Sequence, residues 1–454
     1  MKMSRGTVTI IGAGLCGSLL SIILARRGVK ATVLERQSDP RTTKVAAGRS
    51  INLALSARGI RALKHAGIFD RVEPLLMPMK GRLIHEDAHA NDFQSYGQKD
   101  DEKIFSVSRA DLNRILVDTA DTEHGVKIRF QQEAVSYYPD EATLRVRDHE
   151  KSADYDVKSK PIIAADGAGS VIRRAYGDST VTGASESLLE HGYKELTIPA
   201  AADGQFQLEN DVLHIWPRGG FMLIALPNPT GDFTLTLFMP TSGKASFASL
   251  DTEEHAAKFF ARHFPDVVPL VDNLAATITN NPIGILGTVR CKHWHDGEQM
   301  LLIGDAAHAV VPFHGQGMNL AFEDCVVLDQ VLENPNADWN TIFEVFEAEQ
   351  IANANAIADM ALDNYVEMRD RVRDPKYVLR KELSFELERR LPNRFIPRYS
   401  MVMFHDEIPY AVAQERGAIQ QKLLEELTAS ADSMEQIDID AAVAATEKRV
   451  PPLH

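Results

Sequence analysis

The sequence predicts an α/β protein: an N-terminal βαβ unit begins one domain, an antiparallel β-sheet is inserted into that domain, and a helical region ends the chain. Residues 8–11 form a short β-branched run, followed by a glycine-rich turn, a helical stretch and a second strand at 30–34. The segments VLHIW, FMLIALPN and FTLTLF, between residues 212 and 238, are separated by turn signals, which predicts an antiparallel meander. Periodic polar and apolar residues over 341–374 and 376–391 predict long helices.

Size and charge limit the classes of function. At 454 residues the chain is too long for one ordinary core, which indicates two or three interlocked domains. Its 44% hydrophobic and 25% charged residues are typical of a globular protein. With 49 Lys and Arg against 64 Asp and Glu, the formal net charge is -15, which repels phosphate backbones and anionic lipid. We therefore expect no nucleic-acid partner.

Cysteine and histidine usage bears on compartment and metal content. Cys16, Cys291 and Cys325 form no CxxC pair, and a sparse, odd count predicts a reducing compartment, the cytoplasm. No window reaches the roughly 20 apolar residues of a spanning helix, so we expect no membrane anchor. His293 and His295 lack accompanying ligand residues, so no metal site is predicted.

The glycine-rich turn carries the first chemical motif. Gly12, Gly14 and Gly17 form a GxGxxG pattern after a strand and before a helix, and Glu35 stands at the end of the second strand. In this setting the glycines allow a tight turn and a close approach to a pyrophosphate, and the helix N-terminus faces its charge. An acidic residue at position 35 suits a ribose hydroxyl and disfavours a 2′-phosphate. The ligand is therefore predicted to be FAD or NAD rather than NADP.

Further motifs select between these ligands. They are LLIGDAAHAVVP at 301–312 with GQGMN at 315–319, ADGAGSVIR at 165–173, and VSRADL at 107–112. Together with the glycine turn, this set resembles the flavoprotein aromatic hydroxylases. The resemblance implies FAD as cofactor, with Asp305 at its ribityl chain, Asp166 near its pyrophosphate, and a helix N-terminus aimed at the flavin ring. The FAD-binding residues it implies are Gly12, Gly14, Gly17, Glu35, Arg36, Ala54, Arg109, Asp166, Asp305, Gly317, Met318 and Asn319.

A narrower resemblance concerns the substrate. The stretches are GRSINLALS at 48–56, YKEL at 193–196, LHIWP at 213–217, PFHGQGMN at 312–319, NYVEM at 364–368 and RFIPRYS at 394–400. They are similar to the members of that family that hydroxylate an aromatic amino acid, L-kynurenine. The resemblance implies NADPH and O2 as co-substrates. Because there is no second GxGxxG unit, NADPH is expected to bind transiently, without a dedicated Rossmann domain.

The same resemblance implies which residues bind the substrate. Arg82 and Tyr96 match a pair that clamps a carboxylate, and Asn364 and Tyr399 match further polar contacts. Met222, Ile224 and Leu226 alternate onto one face of the meander. The other predicted substrate residues are Leu213, Phe238, Phe313, His314 and Met368.

Two of these residues carry alternatives. His314 is a candidate for acid–base catalysis, but it is at least as well explained as a hydrogen-bonded loop histidine, so no catalytic residue is certain. Asn364 lies between Met360 and Met368 in an apolar helical stripe, where a buried amide needs a partner. That partner is either an internal hydrogen-bonding group or the substrate, and the resemblance favours the substrate.

The predicted fold class is thus α/β, with a Rossmann-like FAD-binding domain, an inserted antiparallel substrate domain and a helical C-terminal region. We expect 1–75, 105–180 and 285–330 to form the FAD-binding domain, 76–104 and 181–284 the substrate domain, and 331–454 the helical region. A monomer or homodimer is expected. The rival functions are a hydroxylase of another aromatic acid or a phenol, an FAD-dependent reductase, and a non-catalytic relative. Intact Gly12, Glu35 and Asp305 argue against the last.

Overall fold

The computed structural model describes residues 7–42, 52–85, 91–177, 181–372 and 374–453. Residues 48–51, which contributed to the narrower resemblance, lie outside the described residues. Within the described ranges, no helix combines the length and the apolar character that crossing a lipid bilayer requires.

The strands follow the chain from the first described residue to the start of the helical region. In chain order they are β1 (Thr7–Ile11), β2 (Lys30–Leu34), β3 (Asn52–Leu55), β4 (Met77–Met79), β5 (Gly81–Ile84), β6 (Asp92–Ser95), β7 (Ile104–Ser108), β8 (Lys127–Arg129), β9 (Gln132–Tyr138), β10 (Thr143–Asp148), β11 (Ala153–Lys158), β12 (Ile162–Ala164), β13 (Ser185–Ile198), β14 (Leu213–Pro217), β15 (Met222–Pro227), β16 (Phe233–Pro240), β17 (Gly284–Arg290), β18 (His295–Asp296) and β19 (Met300–Leu302).

The helices become longer toward the C-terminus. They are α1 (Leu15–Arg26), α2 (Ala57–His65), α3 (Phe69–Val72), α4 (Arg109–Asp118), α5 (Val171–Ala175), α6 (Glu253–His263), α7 (Leu274–Asn280), α8 (Asp305–His308), α9 (Gly317–Val331), α10 (Trp339–Val366), α11 (Pro375–Arg390), α12 (Arg398–Met403), α13 (Tyr410–Leu427) and α14 (Ile439–Arg449). A π-helical turn, Glu367–Arg371, continues α10.

The first domain is built on a largely parallel sheet. Six described strands lie in the order β18-β19-β12-β1-β2-β8, and only β18 runs antiparallel to its neighbour. Val8 and Ile10 of β1 are fully buried, as expected for a central strand covered on both faces. The βαβ unit predicted from residues 8–34 is confirmed.

The inserted sheet is mainly antiparallel and separates two apolar layers. Its described strands lie in the order β17-β13-β16-β15-β14-β5-β6, with β14 and β5 parallel. Because side chains alternate across a strand, Leu223 and Leu235 face a core shared with α6 and α7, while Met222 and Phe238 face the first domain. The expected domain boundary at 284/285 falls inside β17, which pairs with β13, so the sheet extends to Arg290.

Two smaller sheets complete the β structure of the described residues. Strands β3, β7 and β4 form one, and β11, β10 and β9 form the other. The second sheet was not predicted, although it contains alternating residues such as the buried Leu144 and Val146. Charged residues on its exposed face, paired as Arg145 with Asp156, obscured the strand signal in the sequence.

The C-terminal helices pack on the first domain and on one another. The predicted helices at 341–374 and 376–391 are observed as α10 with its π-helical turn and as α11. A small separate core contains Leu383, Leu387, Phe395 and Leu424. The end of α10 with its π-helical turn and the start of α12 bring residues 364–368 and 399 to the cavity described next.

Candidate active site

A cavity of about 680 Å³ lies between the parallel sheet, the inserted sheet and the C-terminal helices. It extends from Gly14 at the start of α1 to Arg82, Tyr96 and Tyr399 at the other end. We call these the cofactor end and the substrate end. Residues from all three predicted regions line the same space, so a ligand at one end can react with a ligand at the other.

The glycine turn, residues 12–17, forms the wall of the cofactor end. A Cβ on Gly17 would lie 2.0 Å from the carbonyl oxygen of Gly12, so the close packing of β1 and α1 requires glycine there. A Cβ on Gly14 would meet no atom within 4 Å, because this residue faces the cavity. The Glu35 carboxylate accepts hydrogen bonds of 2.7 Å from the amides of Ala13 and Gln37, which fixes it beside the turn.

The GDAAH segment and the start of α9 form the opposite wall. Asp305, Gly317 and Met318 line the cavity, and the amides of the first turn of α9 point toward it. Asn319 is fully buried and serves as a brace. Its Oδ1 accepts a hydrogen bond from the Ser56 amide at 3.0 Å, and its Nδ2 donates to the carbonyl oxygens of Ala54 and Gly315, both at 2.8 Å.

Asp166 lies beside the glycine turn, where its Cα would be 3.3 Å from a Cβ on Gly12. One carboxylate oxygen accepts a 2.8 Å hydrogen bond from the Val171 amide at the start of α5. The other is buried without a hydrogen-bond partner in the described part of the chain. Burial raises the pKa of Asp166, although hydrogen bonds from Ser170 and the α5 amides oppose the effect.

Half of the predicted FAD-binding residues line the cavity and half do not. Those on its surface are Gly14, Ala54, Arg109, Asp305, Gly317 and Met318. Gly12, Gly17, Glu35, Arg36, Asp166 and Asn319 are not among its lining residues. The residues present fit FAD, a dinucleotide with a ring at one end. The features that suit it are Gly14, which leaves the wall open, the buried oxygen of Asp166 that is unpaired within the described ranges, and the amide-rich start of α9.

At the substrate end, Arg82 is only 4% exposed and has aromatic neighbours on two sides. The guanidinium carbon lies 5.6 Å from the Tyr96 ring centroid and 5.2 Å from that of Tyr399. The two tyrosine rings stack with centroids 5.3 Å apart. A buried cation with phenol hydroxyls beside it is the arrangement expected for binding a carboxylate.

A carboxylate that the sequence analysis missed neutralises this cation. Glu367 lies 3.4 Å from Arg82 and accepts a 2.7 Å hydrogen bond from the Tyr377 hydroxyl. Burial alone would raise the pKa of Glu367, but Arg82 and Tyr377 hold it below its usual value. Because a buried arginine needs a counter-ion, a search for an acidic residue within one helical turn of Asn364 could have found it.

Apolar side chains form the walls between the two ends. Met222, Ile224, Leu226, Phe238 and Leu213 come from the inserted sheet, as the alternation predicted. Phe313 stacks on Tyr365 with ring centroids 3.9 Å apart and meets Phe238 edge-on at 5.1 Å. All twelve predicted substrate residues, from Arg82 to Tyr399, line the cavity.

Asn364 and His314 line the cavity beside Phe313 and Tyr399. Asn364 lines the cavity and also donates a 2.6 Å hydrogen bond to the carbonyl oxygen of Phe313. Its side-chain amide therefore has an internal hydrogen-bonding partner, the first of the two alternatives given above. His314 is 5% exposed and stacks on Tyr399 at 5.5 Å. Burial lowers the pKa of His314 to about 4, so the ring is neutral at pH 7 and is a poor proton donor there.

Metal ligation is not evident in the described ranges: they contain no group of three or more His, Cys, Asp or Glu that could hold a metal ion. His293 and His295 lie 3.1 and 3.8 Å from Glu347, which explains their positions as ion-pair partners when protonated.

Comparisons with known proteins agree on the class of protein. The model of the FAD binding domain family matches residues 5–340. A kynurenine 3-monooxygenase of Stenotrophomonas maltophilia (strain K279a) is 46% identical over 98% of this chain and 98% of its own length. The enzyme of the same name from Myxococcus xanthus (strain DK1622) is 44% identical over 99% of this chain and 96% of its own length.

Solved structures support the fold. The tetrameric form of 2-methyl-3-hydroxypyridine-5-carboxylic acid oxygenase aligns with a TM-score of 0.65, at 20% identity, over 82% of this chain and 94% of that one. PqsL from P. aeruginosa, in complex with 2-aminobenzoylacetate, aligns with a TM-score of 0.61, at 21% identity, over 80% of this chain and 97% of that one.

Proposed function

Because the chain belongs to the FAD binding domain family and, over nearly its full length, to the kynurenine 3-monooxygenase family, we propose that it hydroxylates L-kynurenine to 3-hydroxykynurenine with NADPH and O2. The observation that carries the proposal is one continuous cavity that joins the glycine turn to buried Arg82. A hydroxylase of an aromatic amino acid needs both features, a dinucleotide cradle and a fixed cation, within reach of one ring.

The substrate end suits the amino-acid part of kynurenine. Arg82 binds the carboxylate through paired hydrogen bonds, and the stacked rings of Tyr96 and Tyr399 hold the guanidinium in place. Glu367 keeps Arg82 neutralised before the substrate arrives. Without Glu367, the empty site would contain Arg82 as an uncompensated buried charge, which is costly.

The apolar walls suit the aniline ring. Leu213, Met222, Ile224 and Leu226 on one side and Phe313 on the other hold the ring in line and exclude water. Bound FAD would supply the redox chemistry, by which NADPH and dioxygen yield the oxidising oxygen atom. The amino group of the substrate activates its own ortho position, so no protein base is required at the ring.

The remaining site residues act at the cofactor end. Bound FAD would be held from the cavity surface by Gly14, Ala54, Arg109, Asp305, Gly317 and Met318. Gly12, Gly17, Glu35, Arg36, Asp166 and Asn319 hold that surface in shape or contact the adenosine part beyond it. The proposed FAD-binding domain consists of residues up to 75, 105–180 and 291–330. The proposed substrate domain contains the inserted sheet, including β17.

A direct assay tests the proposal. The FAD-loaded protein is mixed with NADPH and L-kynurenine in air, and the product is identified by mass. We expect 3-hydroxykynurenine and substrate-stimulated oxidation of NADPH. NADPH oxidation without hydroxylated product indicates a reductase, and product formed only from a phenolic acid indicates the rival hydroxylase; either result overturns the proposal.

A further inference from the structure

Glu195 is a buried carboxyl group on the cavity side of the inserted sheet. It is 6% exposed and lies on β13 two residues after Tyr193, which lines the cavity. Its cross-strand neighbour is Thr236, another lining residue. Lys194, between them, faces the opposite side and donates a 2.6 Å hydrogen bond to the carbonyl oxygen of Ile278. The alternation of the strand therefore places Glu195 on the face of the sheet that borders the cavity, directly behind the lining residues Tyr193 and Thr236.

This carboxyl group is not satisfied by the surrounding protein. Its Oε2 is buried and has no hydrogen-bond partner among the residues that the structure describes. A buried polar atom without a partner is costly, so its retention calls for an explanation. The groups that face Glu195 are Tyr193 from its own strand and Arg109 from the start of α4, while β16 offers only the uncharged Thr236.

We propose that Glu195 is a proton-storing residue of the cavity, which holds a proton beside Arg109 and supplies it to the cavity during turnover. The inference rests on the proposed function, because that reaction consumes a proton. The ring, O2, NADPH and one proton give the hydroxylated ring, NADP+ and water. NADPH provides the two electrons, the C–H and O–O bonds break, and new C–O and O–H bonds form.

The charge of Arg109 beside Glu195 makes the storage of a proton on Glu195 reversible. Burial raises the pKa of Glu195 to about 7, and the positive charge of Arg109 opposes this rise. Arg109 lines the cavity, so an anionic ligand that engages it weakens its hold on the Glu195 carboxylate. Glu195 then takes up a proton as the cofactor end becomes more negative. His314 cannot serve in this way, since its low pKa leaves it unprotonated at pH 7.

A pH titration of the visible spectrum of the bound flavin tests the assignment without any aromatic substrate. We expect the wild-type holoenzyme to show a spectral transition near pH 7, and E195Q to lack it. Glu190→Gln is the matched control, because Glu190 is an exposed glutamate of the same strand, and its spectrum should titrate as the wild type does. A transition that persists in E195Q, or is absent from the wild type, overturns the proposal.

A kinetic readout completes the test. In E195Q we expect kcat to fall about 10-fold, less than the 10²–10⁴-fold typical of a group in contact with the reacting atoms, and its dependence on pH near neutrality to disappear. The KM for kynurenine should stay unchanged. Should E195Q fail to retain flavin, Glu195→Asp keeps the carboxyl group and should shift the midpoint; an unchanged midpoint overturns the proposal. Because the spectral titration omits kynurenine, a chain with another aromatic substrate could still pass it.

Discussion

The two ends of the cavity use different parts of the chain to bind. At the cofactor end the wall is mostly backbone: a turn held by Gly12 and Gly17, and the amide-rich start of α9. At the substrate end the contacts are side chains from distant segments, with Arg82 on β5, Tyr96 after β6 and Tyr399 on α12. Backbone binding needs small residues in fixed order and leaves a local motif, whereas side-chain binding leaves only scattered residues.

The largest effect is expected at the cofactor end. Gly14→Val should leave the fold intact, because a Cβ at this position meets no protein atom within 4 Å, but it should fill the cradle and weaken FAD binding by at least about 100-fold, roughly 2.7 kcal/mol. Flavin content after purification and the apparent Kd for added FAD measure this. Gly17→Val is the contrasting variant, since its side chain strikes the Gly12 carbonyl and should prevent folding. A Gly14→Val protein that stays yellow would contradict a cradle at this turn.

The next effect concerns the buried cation. Arg82→Met should weaken kynurenine binding by about 3 kcal/mol, more than 100-fold, because a charge-assisted pair is lost. FAD content should be unchanged. The change also strands the Glu367 carboxylate, so R82M/E367Q should recover stability but not affinity. Spectral titration with kynurenine gives the affinity, and retained affinity in Arg82→Met would remove Arg82 from the site.

A smaller effect is expected at Asn364, in the cavity wall beside Phe313. Asn364→Leu deletes the hydrogen bond to the Phe313 carbonyl and should raise the KM for kynurenine about 10-fold, near 1.4 kcal/mol. Asn340→Ala, on the exposed side of the same helix, is the control and should behave as the wild type. Equal KM values in the two variants would show that Asn364 does not shape the pocket.

The last effect concerns stability against acid and leaves ligand binding at neutral pH unchanged. The folded-state pKa of His314, about 4, lies below its ordinary value of 6.5, so the unfolded chain binds more protons between these values and stability falls as pH drops through that window. His314→Gln should reduce the loss by about 1–2 kcal/mol. The exposed His255 provides the control, His255→Gln. Urea unfolding at pH 7 and pH 4.5 measures the difference, and an identical loss in both variants contradicts the pKa assignment.

The contrast between the ends also explains how far the sequence could be interpreted. Strand β2 was predicted at its observed bounds, because its place after a strand, a glycine turn and a helical stretch is a local signal of a βαβ unit. Glu367 and Glu195 were not identified as site residues. Their importance comes from their burial, which is partial for Glu367, and from facing Arg82 and Arg109, and both depend on tertiary packing. The sequence also contained no sign that β17 continues the inserted sheet to Arg290, since that strand is defined by its pairing with β13.

The brace formed by Asn319 has a consequence for biosynthesis. One side chain ties Ser56 and Ala54 to Gly315, more than 250 positions later in the chain, and β19 must join β12 before the parallel sheet is complete. A ribosome that has produced only the first half of the protein therefore presents a glycine turn without its opposing wall. We expect FAD capture to be a late event in synthesis, and truncated chains that end before α9 to emerge colourless.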